Sequence, residues 1–196
     1  MFIRSDSFAD GDFLPERLAF CRFDAASHVA LSDNRNPHLV WGDLPAGTRS
    51  VALLVVDSDV PSVGTDVNQE GRTVPADLPR VDFAHWLLLN IPATRSEIAE
   101  GAFSSGITPR GKPGPETGDG PWQGTNDYTG WFANDGDMAG QYHGYDGPCP
   151  PWNDERIHHY VFTVVALDVE KLHVEGGFGL AAVRAAMAGH KLGSAS

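Results

Sequence analysis

Three short segments carry side chains that could bind a ligand or do chemistry. Asp57–Pro61 (DSDVP) places two carboxylates where an apolar run ends, and a proline closes the segment. His85 lies inside a second apolar run, and residues 158–160 (HHY) follow the proline-rich stretch 147–151 (GPCPP). Carboxylates, imidazoles and a phenol are the groups that bind anions, hold metals or move protons. These segments are therefore the first candidates for a functional site.

Each segment alone also has an ordinary structural explanation. Aspartate and proline are common turn residues, and a lone histidine such as His85 is more often part of the core than of a site. His158 and His159 cannot both bind one metal ion from a strand, because adjacent side chains point to opposite faces of a sheet. The functional interpretation depends on whether the segments come together.

The elements that would position these segments are mostly strands. Long β-branched and apolar runs favour strands. The run around His85 is apolar at both odd and even positions, which indicates that both faces of the strand are buried. The one clear helical pattern is Ala-rich and lies near the C-terminus. Strands are predicted for 17–23, 38–41, 50–57, 81–92 and 157–168, and a helix for 179–190. The prediction is a mostly-β chain with a late helix.

Composition limits the class of protein and its partners. The chain has 196 residues, 41% of them hydrophobic, so a single domain over 1–196 with a real core is expected. The net charge of −12 argues against nucleic acid and anionic membranes as partners. No apolar run is long enough for stable membrane insertion, and no secretory signal is visible. We expect a cytoplasmic protein and leave a homodimer open.

Glycine and proline are concentrated in one stretch, with 12 Gly and 7 Pro among the 56 residues 101–156. Such a stretch cannot form a long helix or a central strand, but its many aromatic residues indicate ordered loops packed over the scaffold. The two cysteines, Cys21 and Cys149, have no CxxC spacing. We expect buried free thiols, with a single disulfide as the alternative.

The segments together resemble the phosphatidylethanolamine-binding protein family, especially its bacterial and archaeal branch described as Raf-kinase-inhibitor-like. The resemblance extends from Ser7 to about Gly193 and includes NPHLVW at 36–41. Its strongest parts are the segment 57–61, which is similar to the family's DPDAP signature, and AHW at 84–86. GPCPP followed by HHY completes it, and the order and spacing make the match specific.

The resemblance implies a β-sandwich of two antiparallel sheets with a small C-terminal helical element. It also implies an anion pocket in which two imidazoles and a phenol donate hydrogen bonds to phosphate or carboxylate oxygens. The implied ligand-binding residues are Asp57, His85, His158 and Tyr160, with Asp59, Pro61, Cys149, Pro150 and Pro151 as walls. Asp57 would orient one imidazole and favour its protonation. No cofactor and no metal are expected.

Several features depart from the family pattern. Ser58 and Val60 replace a proline and an alanine, and His159 stands where arginine is usual. The stretch 62–80 is longer than expected, and the chain ends at Ser196, about where relatives continue into a last strand. This final edge strand is therefore expected to be missing or replaced.

The leading hypothesis is a binding or regulatory module for a small anion or a phosphorylated head group. One alternative is a hydrolase that uses Asp57, His85 and His158 as acid–base groups, with Cys149 as the only plausible nucleophile. The other is a metal-binding protein that uses the same three residues. Two further expectations are a cis Val60–Pro61 bond and an affinity that falls as pH rises through the histidine range.

Overall fold

The computed structural model describes residues 1–116 and 120–196. The strands are β1 (Phe2–Arg4), β2 (Cys21–Asp24), β3 (His28–Leu31), β4 (Leu39–Gly42), β5 (Ser50–Pro61), β6 (Arg80–Pro92), β7 (Glu97–Ile98), β8 (Trp122–Gln123), β9 (Tyr160–Leu167) and β10 (Lys191–Ala195). The helices are α1 (Tyr128–Trp131) and α2 (Leu180–Met187), and a short 3-10 turn covers Glu16–Leu18.

The strands form two antiparallel sheets and a separate hairpin. The larger sheet has the order β10-β9-β5-β6-β8, the smaller has the order β1-β4-β7, and β2 pairs with β3. All of these pairings are antiparallel. The mostly-β prediction and the two antiparallel sheets are confirmed. The edge strand β10 is present, so the expectation of a missing last strand is wrong.

The core lies on both faces of the larger sheet. Leu53 and Val55 of β5 pack with Trp41 of the smaller sheet on the inner face. On the outer face, Leu54 packs in a cluster that includes Val183 of α2. Alternate residues of a central strand therefore serve different layers, which explains why these strands have no polar alternation.

The segment 57–61 is part of β5 and not the turn that its composition suggested. β5 pairs with β6 as far as Pro61, opposite Arg80. Because β9 begins at Tyr160, opposite Asp57, Pro61 has a neighbour on one side only, where its missing N–H is tolerated. Among the described residues the cis bond is Gly114–Pro115. Val60–Pro61 is trans, so that prediction is wrong: a strand that continues needs no cis turn.

The cysteine prediction is also wrong, because Cys21 and Cys149 form a disulfide. Their segments, 128 residues apart in sequence, meet where β2 begins. The backbone N–H groups of Phe20 and Cys21 both donate to the carbonyl of Pro148, with N···O distances of 2.9 and 3.2 Å. This long-range pairing brings the two Cα atoms to 5.0 Å, which cysteine spacing alone could not reveal.

Candidate functional site

Two β-bulges shape the end of the larger sheet at which the three segments meet. Between Asp57 and Val60, β5 has one residue more than the facing part of β6. On β6, His85 is the extra residue between Ala84 and Trp86, which face consecutive residues of β5. A bulge re-aims the side chains next to it. The candidate residues of both strands therefore leave the regular alternation at the same end of the sheet.

Asp57 and His158 form a buried ion pair. Nδ1 of His158 donates to Oδ2 of Asp57 at 2.6 Å, and both side chains are 2% exposed. Nε2 of His158 lies 3.2 Å from Oδ2 of Asp154. Burial alone lowers the pKa of His158, but the hydrogen bonds and charges of Asp57 and then Asp154 raise it above its usual value. His158 is thus held as an imidazolium with both ring nitrogens occupied.

Arg80 completes this network from the far side. Its guanidinium forms two hydrogen bonds with the carboxylate of Asp154, and Nη2 lies 3.0 Å from Oδ1. The two side chains are 5% and 1% exposed. Burial raises the pKa of Asp154, but Arg80 foremost, together with His158, brings the pKa below its usual value. We call Asp57, His158, Asp154 and Arg80 the buried charge chain; it alternates in sign and has no net charge.

Two members of the buried charge chain, Arg80 and Asp154, were not among the residues expected at the site from the sequence. Arg80 ends the stretch 62–80, which was noted only as a departure in length. Asp154 lies four residues before His158, which is the one signal that could have suggested it.

Asp59 has its own cationic partners. Its Oδ2 accepts hydrogen bonds from Nδ1 of His159 at 2.8 Å and from the backbone N–H of the same residue at 3.1 Å. Nη1 of Arg156 lies 3.4 Å from Oδ1. Burial raises the pKa of Asp59, but His159 and Arg156 bring it below its usual value. Asp57, Asp59 and Asp154 are therefore each paired with a cationic side chain.

His85 is buried and held in one tautomer. Its Nδ1 lies 2.7 Å from the carbonyl oxygen of Asp146, and a carbonyl can only accept, so Nδ1 carries the proton. The ring packs edge-on against Tyr160 and Tyr128, with centroid distances of 5.2 and 5.6 Å. Burial lowers the pKa of His85 despite the nearby carboxylates. Burial therefore favours the neutral form of this imidazole, with a proton on Nδ1.

This geometry shows which ring nitrogens are already bonded within the protein. Both nitrogens of His158 contact carboxylates, and Nδ1 of His85 contacts a backbone carbonyl. The anion-binding role of the two imidazoles stays a prediction. Tyr160 lies opposite Asp57. Burial first, and Asp57 next, raise the pKa of its phenol far above its usual value, so the phenol is neutral.

A second polar cluster, which the sequence did not reveal, contacts His85 through Asp146. The buried carboxylate of Asp146 accepts from Nζ of Lys112 at 2.6 Å and from the amides of Asn34 and Asn126 at 2.7 and 2.8 Å. The backbone N–H of Asp146 also donates to the carbonyl of His85 at 3.0 Å. His85 and Asp146 thus hold each other by two hydrogen bonds.

A cavity of about 920 Å³ opens beside these groups. Its wall contains four of the predicted site residues, Pro150, Pro151, His158 and Tyr160. The other five predicted residues lie next to that wall and not in it: Asp57, Asp59, Pro61, His85 and Cys149. The segment 8–14 also lines the cavity. The structure therefore brings the predicted segments together, but it exposes only the third one to the cavity.

The structure bears on the nucleophile of the hydrolase alternative and on the metal alternative. Cys149 is bonded to Cys21, so it is not a free thiol nucleophile. Within residues 1–116 and 120–196, no group of three or more His, Cys, Asp or Glu side chains is placed to hold a metal ion.

In the described part of the chain, no helix is long and apolar enough to cross a membrane.

The fold and the site define a β-sandwich with a polar pocket at one end of its larger sheet. The family model for phosphatidylethanolamine-binding protein matches residues 4–196. The chain is 32% identical to the UPF0098 protein YbhB of Escherichia coli, with 100% of this chain and 96% of that protein covered. It is 30% identical to E. coli YbcL over 83% of this chain and 68% of that protein.

Solved structures agree with the sequence comparison. The crystal structure of E. coli YbcL, described as a new member of the mammalian PEBP family, matches with a TM-score of 0.67 and 28% identity, covering 99% of this chain and 93% of that one. A PEBP homologue of Chlamydia trachomatis matches with a TM-score of 0.64 and 25% identity over 98% of this chain and 91% of that one. The chain belongs to the phosphatidylethanolamine-binding protein family.

Proposed function

We propose that this binding protein recognises a small anion or a phosphorylated head group, such as phosphate, phosphoethanolamine or a phosphorylated residue, in the cavity beside His158 and Tyr160. The observation that carries the proposal is the charge balance of this region. The carboxylates of Asp57, Asp59 and Asp154 are paired with buried or bonded cations. The cavity itself is lined by the arginines Arg4, Arg22 and Arg156. An anion can therefore approach here although the whole chain has a charge of −12.

The cationic side chains of the wall are the donors that remain for an anion. Arg22 is exposed and forms no ion pair within the described residues. Arg156 makes one long contact, to Asp59 at 3.4 Å, and keeps other N–H groups free. Guanidinium groups bind phosphate and carboxylate oxygens in a fork of parallel hydrogen bonds.

The remaining wall suits a small, partly charged molecule. The cavity volume lies within the range of small-molecule sites, which is about 300–1,000 Å³. Asp10 and Asp12 also line it, opposite the arginines in sign, and Phe13 and Ile157 add exposed apolar surface. A zwitterion such as phosphoethanolamine could use both signs of charge.

The test is calorimetric titration of the protein with inorganic phosphate and with phosphoethanolamine. Arg22→Gln and Arg156→Gln should each weaken binding by about tenfold, because each removes a charged hydrogen bond. Arg49→Gln is the matched control: it removes the same charge, but Arg49 pairs with Glu170 and does not line the cavity. Equal losses in all three variants would show that only net charge matters. Absence of any binding would reject the proposal.

Two further expectations remain predictions. A cytoplasmic location is one, and the Cys21–Cys149 disulfide weighs against it, because disulfides persist mainly in oxidising compartments. Fractionation of cells with thiol labelling would decide it. A homodimer is the other, and sedimentation at several protein concentrations would measure it.

A further inference from the structure

The disulfide between Cys21 and Cys149 lies at the wall of the cavity. Cys21 lines that wall from β2, while Pro148 and Pro150, the two neighbours of Cys149, line it from the proline-rich loop. The bond holds the two Cα atoms 5.0 Å apart across a sequence separation of 128 residues. A change in this bond therefore acts directly on the shape of the cavity.

The disulfide also joins the two elements that carry the arginines of the proposed anion site. Arg22 follows Cys21 on β2, and Arg156 lies in the loop that runs from Cys149 to β9. A ligand held by both guanidinium groups binds more weakly if their separation varies, because ordering them adds to the cost of binding. The bond that fixes β2 against the loop thus also limits the distance between two groups that meet the ligand.

Hydrogen bonds anchor the loop on both sides of Cys149 but not at Cys149 itself. On one side, the carbonyl of Pro148 accepts from two N–H groups at the start of β2, at 2.9 and 3.2 Å. On the other side, the N–H of Trp152 donates to Oδ1 of Asn68 at 3.1 Å. Among the described residues, no hydrogen bond or ion pair links 149–151 to another element, and the two prolines there have no N–H to donate. The disulfide therefore fixes the middle of this wall.

The two cysteines differ in exposure. Cys21 is 8% exposed, whereas Cys149 is partly exposed at the edge of a buried aromatic cluster that includes Tyr142. The attack of a thiolate on a disulfide depends on access to the sulfur. The thiolate of a reductant is therefore expected to attack Sγ of Cys149 and not Sγ of Cys21.

We propose that the Cys21–Cys149 bond is a redox gate of the cavity: a dithiol reductant cleaves it, frees the wall at 149–151 and weakens the binding of anions. In the first step the S–S bond breaks, Cys21 leaves as a thiolate and takes up a proton, and Cys149 forms a mixed disulfide with the reductant. The second thiol of the reductant then displaces Cys149, which also takes up a proton. The protein gains two electrons and two protons, and the reductant becomes a disulfide.

The proposal rests on the proposed function and adds its regulation. The hydrogen bonds on either side of Cys149 remain after reduction, so the change is confined to 149–151. Ordering the backbone of one residue costs about a factor of ten in an equilibrium constant, and two of the three freed residues are prolines, whose φ is already fixed. We therefore expect reduction to weaken binding about tenfold.

Calorimetric titration with inorganic phosphate tests the gate. The oxidised protein is compared with protein reduced by dithiothreitol, and near-ultraviolet circular dichroism reports whether tertiary packing is kept. The reduced, folded protein should bind phosphate about tenfold more weakly. Equal affinities in the two states would overturn the inference and leave the proposed function standing, whereas binding in neither state would reject both. Loss of the near-ultraviolet signal on reduction would show global unfolding and overturn a local gate.

The double variant in which Cys21→Ser accompanies Cys149→Ser is the control for the reductant. It lacks the bond, so its affinity for phosphate should equal that of the reduced protein, with and without dithiothreitol. An affinity equal to that of the oxidised protein would overturn the inference.

Linkage supplies a second measurement that needs no variant. If the oxidised form binds phosphate about tenfold more tightly, saturating phosphate must make the bond harder to reduce by the same factor. For a two-electron couple a factor of ten corresponds to about 30 mV. The midpoint of a redox titration with oxidised and reduced dithiothreitol should therefore become more negative by about 30 mV. A midpoint that phosphate leaves unchanged would contradict the gate.

Discussion

The buried charge chain makes a quantitative prediction for Asp154→Asn. This substitution keeps the shape of the side chain but leaves Arg80 buried without a carboxylate. Its acceptors would then be neutral: one amide oxygen and the backbone carbonyls of Asp59, Pro75 and Leu78. Removal of one partner from a buried ion pair destabilises a protein by about 3–5 kcal/mol. For a chain of this size each kcal/mol shifts Tm by about 2–4 °C, so we expect Tm to fall by about 6–20 °C.

The same substitution should change the pH dependence of stability. The folded-state pKa of His158 is raised, so its protonation stabilises the fold fully below the unfolded pKa of about 6.5. This contribution is lost as pH rises through the folded pKa. Asp154→Asn removes one of the two carboxylates that raise that pKa. The loss of stability with rising pH should therefore occur at lower pH in the variant.

Urea unfolding followed by tryptophan fluorescence at about pH 5.5, 7 and 8.5 measures both effects, at values chosen around the histidine pKa. Glu170→Gln is the control, because Arg49 and Glu170 form an ion pair of 2.6 Å with side chains that are 57% and 72% exposed. Exposed pairs contribute about 0–1 kcal/mol. If the two variants lost the same stability, burial of the pair would not matter and the reasoning would be refuted. The double variant in which Arg80→Met accompanies Asp154→Leu should recover much of the loss.

Three other substitutions test separate parts of the site. Gly147→Ala should destabilise the protein by about 1–3 kcal/mol, because a Cβ there would overlap a backbone carbonyl, whereas Gly136→Ala, which has open space, should be neutral in the same urea assay. Asp57→Asn should lower the pKa of His158 toward its usual value, as followed by NMR; an unchanged pKa would contradict the ion pair. Cys149→Ser should remove about 2–5 kcal/mol, because the disulfide closes a loop across 128 residues; a thermal melt unchanged by the substitution would count against a structural role.

The pattern of apolar residues was sufficient to predict the long strands and the late helix. The run at 50–57 is rich in β-branched residues, and the run at 81–92 is apolar at both odd and even positions, which favours buried strands. β5 and β6 extend these runs by only a few residues. The late helix was predicted over 179–190 and occupies Leu180–Met187. Both predictions concern local periodicity, which a single sequence shows directly.

Amino-acid composition gave wrong predictions where long-range pairing determines the structure. Asp, Ser and Pro at 57–61 are turn formers, but β6 offers a pairing edge as far as Arg80, and a one-residue bulge absorbs the irregularity. A bulge adds a single residue, so alternation along one strand cannot reveal it. The bond from Cys21 to its partner also depends on where distant loops meet. Long-range geometry of this kind is absent from the sequence pattern.

The pKa values of the two histidines could not be predicted even from the fold, because they depend on the individual groups that contact each ring. From the sequence, His85 and His158 are two similar histidines of one site, whereas the structure shifts their pKa values in opposite directions. His158 lies between two carboxylates, which raise its pKa. His85 faces a carbonyl and aromatic rings, and burial lowers its pKa. The charges of the buried charge chain therefore cancel within the protein before a ligand arrives. Under the proposed function, this leaves the arginines of the cavity wall to meet an anion.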